Sequence, residues 1–301
     1  MDQASAYGFG FDGGTAIALG TFDGVHTGHI RVLSKAAEFN KQFNTMALTF
    51  SAPPKKAKML CSLSKKEQLI LKTGVKQVFT LDFDFVKDLS PEEFFKDILI
   101  ESFNAKVLVC GYNYRFGRGA SGDVKKLGEL CKASNISLYV CQEHTEQNLS
   151  VSSTKIRDLL SVGDCQTVYA LLGRYFEIGE AVSCGRHDGS AFGFATANII
   201  PSPSLIIPKE GVYATYTRIG EDIYPSVTNL GTQPTFESDV SVCETHIIGF
   251  DGDLYGRYIE VGFLKRLRDI IKFDNKNLLF EQINSDKEIS ELIFAEKREK
   301  I

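Results

Sequence analysis

Hydrophobic and polar positions follow two different rhythms along this chain. From residue 15 to about 145, short apolar runs alternate with segments whose apolar residues recur every three or four positions. The runs predict strands over 15–19, 46–50, 77–81, 107–110 and 137–141. The periodic segments predict helices over 30–40, 64–73, 91–102 and 124–133. Ser64 is the expected cap of the second helix. Ser90-Pro91-Glu92-Glu93 offers the third an N-cap, a proline at its first position and first-turn acids. Regular strand–helix alternation predicts an open, mostly parallel α/β sheet, which binds ligands beyond the carboxyl ends of its strands.

After residue 175 the rhythm shortens to β-rich runs separated by glycine and proline, over 179–183, 196–200, 211–218, 223–229, 244–248 and 258–263. Helical spacing returns only at 278–283, followed by a charged tail from Lys287. Short strands closely spaced by turns predict a small closed antiparallel β-barrel with a terminal helix. The boundary is expected near Leu172-Gly173-Arg174, dividing the chain into 1–172 and 173–301. The 301 residues suffice for two such cores.

Composition narrows the function classes. The chain is 43% hydrophobic and 24% charged, with a net charge of −4. Residues 1–170 are slightly basic and the remainder acidic, so neither part has the positive surplus of a general nucleic-acid binder. Seven cysteines form no CxxC pair and lie in apolar segments, as reduced thiols of a cytoplasmic protein would. Residues 1–14 lack the basic-then-apolar pattern of a signal peptide, and no apolar run is long enough to span a bilayer. Neither a membrane nor a nucleic-acid partner is expected, and weak self-association stays open.

Chemistry concentrates in three segments of the first part. Gly20-Thr21-Phe22-Asp23-Gly24-Val25-His26-Thr27-Gly28-His29 joins the first strand to the first helix. Glycines there let the backbone approach an anion, helix N–H groups and the dipole favour negative charge, and imidazoles add donors. Gly20, Phe22, Asp23, Gly24 and Gly28 are thus candidate phosphate-loop residues beside His26 and His29. Taken alone, a glycine-rich turn with surface histidines is the plainer reading. Gly111-Tyr112-Asn113-Tyr114-Arg115-Phe116-Gly117-Arg118-Gly119 follows the fourth strand, offering rings for a planar heterocycle, Asn113 for a ring edge and Arg115 and Arg118 for phosphate. Packing of those aromatics is an equally good account. Ser152-Ser153-Thr154-Lys155-Ile156-Arg157 opens a helix with hydroxyls, which serves either as an anion seat or as a simple cap.

Together these segments resemble the nucleotidyltransferases with an HxGH signature, in particular the adenylyltransferase half of bacterial bifunctional riboflavin kinase/FAD synthetases. The second part is similar to the kinase half of that family. Gly193-Phe194-Ala195-Thr196-Ala197-Asn198 resembles its GFPTAN signature. Gly211-Val212-Tyr213, the stretch from Val227 to Phe236, Cys243-Glu244-Thr245-His246 and Asp253-Leu254-Tyr255-Gly256 follow its order and spacing.

The resemblance implies a Rossmann-like α/β domain that transfers AMP from ATP to FMN, and a barrel domain that phosphorylates riboflavin. It implies His26 and His29 at the α/β-phosphates, Ser153, Thr154 and Arg157 at the pyrophosphate, and Asn113 and Arg115 at the flavin or adenine. In the kinase half it implies Thr196 and Asn198 as Mg²⁺ ligands, Glu244 as base, Gly185, Arg186 and Gly193 framing the nucleotide phosphates, and Arg268 near the flavin. ATP with Mg²⁺, riboflavin and FMN are the small molecules implied, with FMN and FAD as substrate and product rather than prosthetic groups. Ala195 replaces the usual signature proline, Tyr175 the proline common after Gly173-Arg174, and Ile270 a frequent acid, while Ala52-Pro53-Pro54 stands for a PHP-like segment. Those departures leave two alternatives: a FAD synthetase whose kinase half has degenerated, and a non-catalytic flavin-binding regulator.

Overall fold

The computed structural model describes residues 13–51, 57–183, 196–234, 239–273 and 275–301. The chain divides into two compact units, Met1–Ser153 and Thr154–Ile301.

In the first unit the apolar runs become β1 (Thr15–Leu19), β2 (Asn44–Phe50), β3 (Gln77–Leu81), β4 (Ala105–Gly111) and β5 (Ser137–Cys141). They pair in parallel in the order β3-β2-β1-β4-β5, the expected open sheet. The strand order reverses at β1, so β2 and β4 flank it. The loops leaving β1 and β4 therefore start side by side, Leu19 pairing with Cys110. All five β1 side chains are buried, because helices cover both faces of the sheet.

The helices show where pattern and structure diverge. Helix α1 (Thr27–Ala37) starts three residues before the apolar periodicity, because His26 caps it. Helix α2 (Leu63–Leu71) is capped by Ser62, not Ser64: Ser62 Oγ accepts the Lys65 N–H at 3.2 Å, placing Ser64 inside the first turn. A short α3 (Phe83–Val86) precedes α4 (Pro91–Glu93), which carries the expected cap as a reciprocal Ser90/Glu93 capping box. The chain then winds as a π-helix over Phe94–Ser102 instead of continuing as α. Buried Phe94, Leu99 and Phe103 are spaced five and four apart, and the wider turn keeps them on one stripe against the sheet. Helix α5 (Val124–Ala133) follows, then a small hairpin of β6 (Thr145–Glu146) and β7 (Leu149–Ser150).

The second unit begins in α6 (Ser153–Val162) and α7 (Cys165–Leu172), the latter ended by left-handed Gly173. Strands β8 (Phe176–Ala181), β9 (Thr196–Ile199), β10 (Gly211–Ile219), β11 (Asp222–Pro234), β12 (Asp239–Ile247) and β13 (Tyr258–Arg268) form one antiparallel sheet in the order β8-β13-β10-β11-β12-β9. The sheet curls into a half-barrel. Among the described residues its outer strands meet at one bridge, where Asn198 O accepts both Ser183 N–H (2.8 Å) and Ser183 Oγ–H (3.1 Å).

Thr215, Thr217, Ser226, Thr228 and Thr245 share one face and are fully buried. They satisfy one another: Thr215 Oγ1 lies 2.8 Å from Ser226 Oγ and from Thr228 Oγ1, and Thr228 Oγ1 2.9 Å from Thr245 Oγ1. The terminal helical signal and charged tail merge into one helix, α8 (Lys276–Lys297), capped by Asn275. Its Phe294 joins Tyr175, Tyr216 and Leu264 in an apolar cluster.

Candidate active site

The loop from β1 to α1 is built from strained backbone. Phe22 (φ 47°), Gly24 (φ 76°) and Val25 (φ 40°) all occupy the left-handed region, which costs a non-glycine residue about 1–3 kcal/mol each. Burial holds the loop there, with Phe22 and Val25 each 1% exposed. Gly24 is obligatory for a second reason: a Cβ would stand 2.6 Å from Leu60 Cδ1. Gly20 similarly yields its space to the Phe22 ring, 2.8 Å from where its Cβ would be. These two glycines thus serve packing as well as any anion.

His26 closes the loop as the α1 cap, its Nδ1 accepting the His29 backbone N–H at 3.2 Å. With Nδ1 accepting, the neutral ring carries its proton on Nε2 and presents that as a donor. The His26 and His29 rings stack with centroids 3.5 Å apart and planes 14° apart. Phe22 meets His29 edge-on at 5.4 Å. A Cβ at Gly28 would stand 3.3 Å from the His26 ring, so glycine keeps the two imidazoles close. The pair therefore sits at a helix N-terminus, beyond the carboxyl end of β1, where anions bind.

Two residues expected at the phosphates also have structural duties. Asp23 is 6% exposed and its Oδ1 accepts Leu60 N–H at 3.0 Å, anchoring the segment that leads into α2. Ser153 Oγ donates to Asp23 O at 2.9 Å, joining the first and third motifs across 130 positions. Thr154 and Arg157 follow on the first turns of α6.

The β4 loop corrects the ring-platform expectation. Tyr114 and Phe116 stack on each other at 5.8 Å and pack against the sheet's core, because burying both rings stabilises the loop more than presenting them to a ligand. Burial pushes the Tyr114 phenol pKa up. Tyr112 stays exposed, its hydroxyl donating to Glu143 Oε1 at 3.1 Å. Asn113 Oδ1 folds back to 3.5 Å from the Cβ position of Gly111, at the end of β4. Arg115 is exposed, 3.9 Å from Asp123.

Sequence reasoning overlooked two neighbours of the loop. His144 lies over Gly28 and bridges Arg31 Nη1 (2.9 Å) and Glu146 Oε1 (2.8 Å). Because guanidinium only donates, His144 accepts at Nδ1 and donates from Nε2. Lys66, 5% exposed, donates to Thr49 Oγ1 at 3.4 Å and to Phe50 O at the carboxyl end of β2, and burial depresses its pKa. An isolated histidine in a polar loop and a lysine in a lysine-rich helix leave no pattern that singles them out.

In the second unit, Thr196 and Asn198 project from one face of β9. Thr196 pairs with His246 and Asn198 with Glu244 on β12. Directly opposite residues share a face, so hydroxyl, amide and carboxylate oxygens gather on one side of the sheet. Asn198 is 9% exposed and Glu244 half-buried. Across β11, Asn229 stands opposite Glu244.

The Arg268 guanidinium forks onto Asp286 of α8, Nε at 3.1 Å and Nη2 at 2.7 Å from Oδ2. Its charge is thereby committed to holding the helix. The predicted Gly185, Arg186 and Gly193, with Ala195 and Ala52-Pro53-Pro54, lie outside the described residues.

The fold and site define a two-part nucleotide-handling transferase: an HxGH-type α/β nucleotidyltransferase unit followed by a kinase-type curled β unit. The FAD synthetase family profile matches residues 10–155 and the riboflavin kinase profile residues 172–294. A Bacillus subtilis bifunctional riboflavin kinase/FMN adenylyltransferase is 30% identical over 94% of this chain and 94% of its own. Its Escherichia coli K12 counterpart is 31% identical over 91% and 90%. The chain belongs to the bifunctional riboflavin kinase/FMN adenylyltransferase family.

A solved Streptococcus pneumoniae structure described as a macrolide-efflux protein superposes with a TM-score of 0.84 at 27% identity, covering 92% of this chain and 94% of that one. That description is of the streptococcal protein. Among the described residues here no helix is long and apolar enough to cross a membrane.

Proposed function

We propose that this chain makes FAD from riboflavin in two steps. In the first, the riboflavin 5′-hydroxyl attacks the γ-phosphorus of ATP, the bond to the β-phosphate oxygen breaks, ADP leaves, and the hydroxyl proton passes to Glu244. In the second, an FMN phosphate oxygen attacks the α-phosphorus of another ATP and pyrophosphate leaves. No protein nucleophile is needed, so alignment and charge stabilisation are the work of the second site. The observation that carries the reading is that one chain holds both the stacked His26/His29 pair at a helix N-terminus and Glu244 set opposite Asn198.

In the adenylyl site His26 would donate from Nε2 to phosphate oxygens, with His29 stacked beside it. Thr154, Arg157 and the first N–H groups of α6 would receive the pyrophosphate, leaving Ser153 to hold the β1 loop. Asn113 and Arg115, at the end of β4, would contact the flavin or adenine.

In the kinase site Thr196 and Asn198 offer the hard oxygen donors that suit Mg²⁺. Among the described residues no cluster of three His, Cys, Asp or Glu could hold a metal alone, which fits an ion completed by nucleotide phosphates and water. Bound there with ATP, Mg²⁺ would neutralise charge on the transferred phosphoryl group. Glu244 accepts the proton, Gly185, Arg186 and Gly193 would frame the nucleotide, and Arg268 would support the flavin side by fixing α8. We set the functional boundary at 172/173, which the left-handed Gly173 ending α7 supports. A cytoplasmic location is supported by the free thiols among the described residues, Cys61, Cys110, Cys131, Cys141, Cys165 and Cys243.

Riboflavin, ATP and Mg²⁺ supplied alone to the purified protein should give FMN and then FAD by chromatography. Absence of FMN would overturn the kinase assignment, and FMN without FAD the adenylyltransferase assignment.

A further inference from the structure

Asn229 carries a buried polar atom, its side-chain amide oxygen. Its Oδ1 is shielded from solvent and receives no hydrogen bond among the described residues. Leaving a buried amide oxygen unbonded costs free energy, and such atoms call for a partner that arrives from elsewhere.

The strand register says where that partner comes from. Asn229 faces Glu244 on one side, and Glu244 faces Asn198. On its other side Asn229 faces Val212, which faces Arg268. One row thus crosses five strands, at about 4.8 Å per strand. It runs from the amide of Asn198 through the carboxylate to Asn229, and then to apolar Val212. Ile270 adds to the apolar end, its Cδ1 standing 3.0 Å from where a Cβ would lie at Gly231, the next residue of β11 on that face.

A substrate laid along this row has its phosphate-accepting hydroxyl at Glu244 and its apolar ring system toward Val212 and Ile270. The linker between them passes Asn229. We propose that Asn229 binds a secondary hydroxyl of the substrate's polyol chain, which donates to Oδ1 and sets the terminal hydroxyl against Glu244. This rests on the kinase reading above.

The test compares the full-length wild type with Asn229→Ala and Asn229→Ser, using riboflavin and its 2′-, 3′- and 4′-deoxy analogues. With riboflavin, Asn229→Ala should lower kinase kcat/KM by about tenfold to a hundredfold, the size of one hydrogen bond from a buried site. With the wild type, one deoxy analogue should show a similar loss, and Asn229→Ala should lose nothing further on that analogue. Asn229→Ser should fall between, and conversion of supplied FMN to FAD should be unchanged in both variants. Equal proportional losses on riboflavin and every analogue, or no loss on riboflavin, would overturn the assignment. Should the Ala variant fail to fold, the Ser variant and the wild-type analogue series decide by the same comparison. Wild type that makes no FMN from riboflavin overturns the kinase reading itself, an outcome distinct from a kinase indifferent to Asn229.

Discussion

The His26 imidazole performs two tasks at once: it stacks on His29 at 3.5 Å and, through Nδ1, accepts the backbone N–H of that same residue at 3.2 Å. Capping fixes the ring's tautomer and thereby which nitrogen faces a ligand.

The two tasks separate by mutation. His26→Ala removes cap and donor, and should cost about 1 kcal/mol of stability together with a hundredfold or greater loss of FAD formation, on the order of what one transition-state donor contributes. His26→Asn keeps a good cap, so thermal unfolding should stay near wild type while FAD formation is lost. FMN should accumulate in both, read by chromatography from riboflavin. Wild-type FAD rates in His26→Asn would remove the imidazole from the reaction.

Glu244→Gln keeps the size of the side chain opposite Asn198 but cannot take a proton. FMN formation should fall by about 10²–10⁴-fold, while FMN added directly is converted to FAD at the normal rate. A kinase rate within a few-fold of wild type would exclude Glu244 as the base.

Asp286 is 2% exposed and its charge is met by Arg268. Arg268→Ala leaves that carboxylate buried without its guanidinium, and should destabilise the second unit by about 3 kcal/mol. Arg268→Lys retains charge without the fork and should fall between. Denaturant unfolding measures both, and an Ala variant as stable as wild type would show that α8 is held by its apolar contacts.

Cys243 is fully buried, and burial pushes its thiol up to about 12 from an ordinary 9. The folded state thus favours the neutral thiol. Its contribution is complete below pH 9 and is lost as pH rises from 9 toward 12, because the unfolded chain ionises first, at about 1.4 kcal/mol per pH unit. Cys110 and Cys165 behave alike, each pushed up to about 12 by burial. Unfolding free energy measured from pH 8 to 10.5 should fall less steeply in Cys243→Ala than in wild type. Parallel slopes would refute the assignment.

Periodicity and turn residues determined the element order, the parallel sheet, the antiparallel second unit and the motifs at the strand ends, since the spacing of apolar and turn residues within each segment already marks its type and its ends. What periodicity misjudged has a common cause, that side chains distant in sequence were competing for the same space. Tyr114 and Phe116 look available in the chain but pack against the sheet core. Ser153 also ties its helix start to Asp23, 130 positions away, a contact the chain alone does not show. Thr215, Ser226, Thr228 and Thr245 lie inside although they are polar, because hydroxyls on three neighbouring strands come within bonding distance of one another once the sheet is formed.

The same holds for the row from Asn198 through Glu244 to Asn229. Each residue is visible in the sequence, but strand register alone decides which stand opposite one another. A slip of one residue would send them to different faces. The sequence by itself determined the chemistry available to this protein. Tertiary structure decided which groups are spent on holding the fold and which remain for a substrate, because burial and pairing depend on neighbours that only folding brings together.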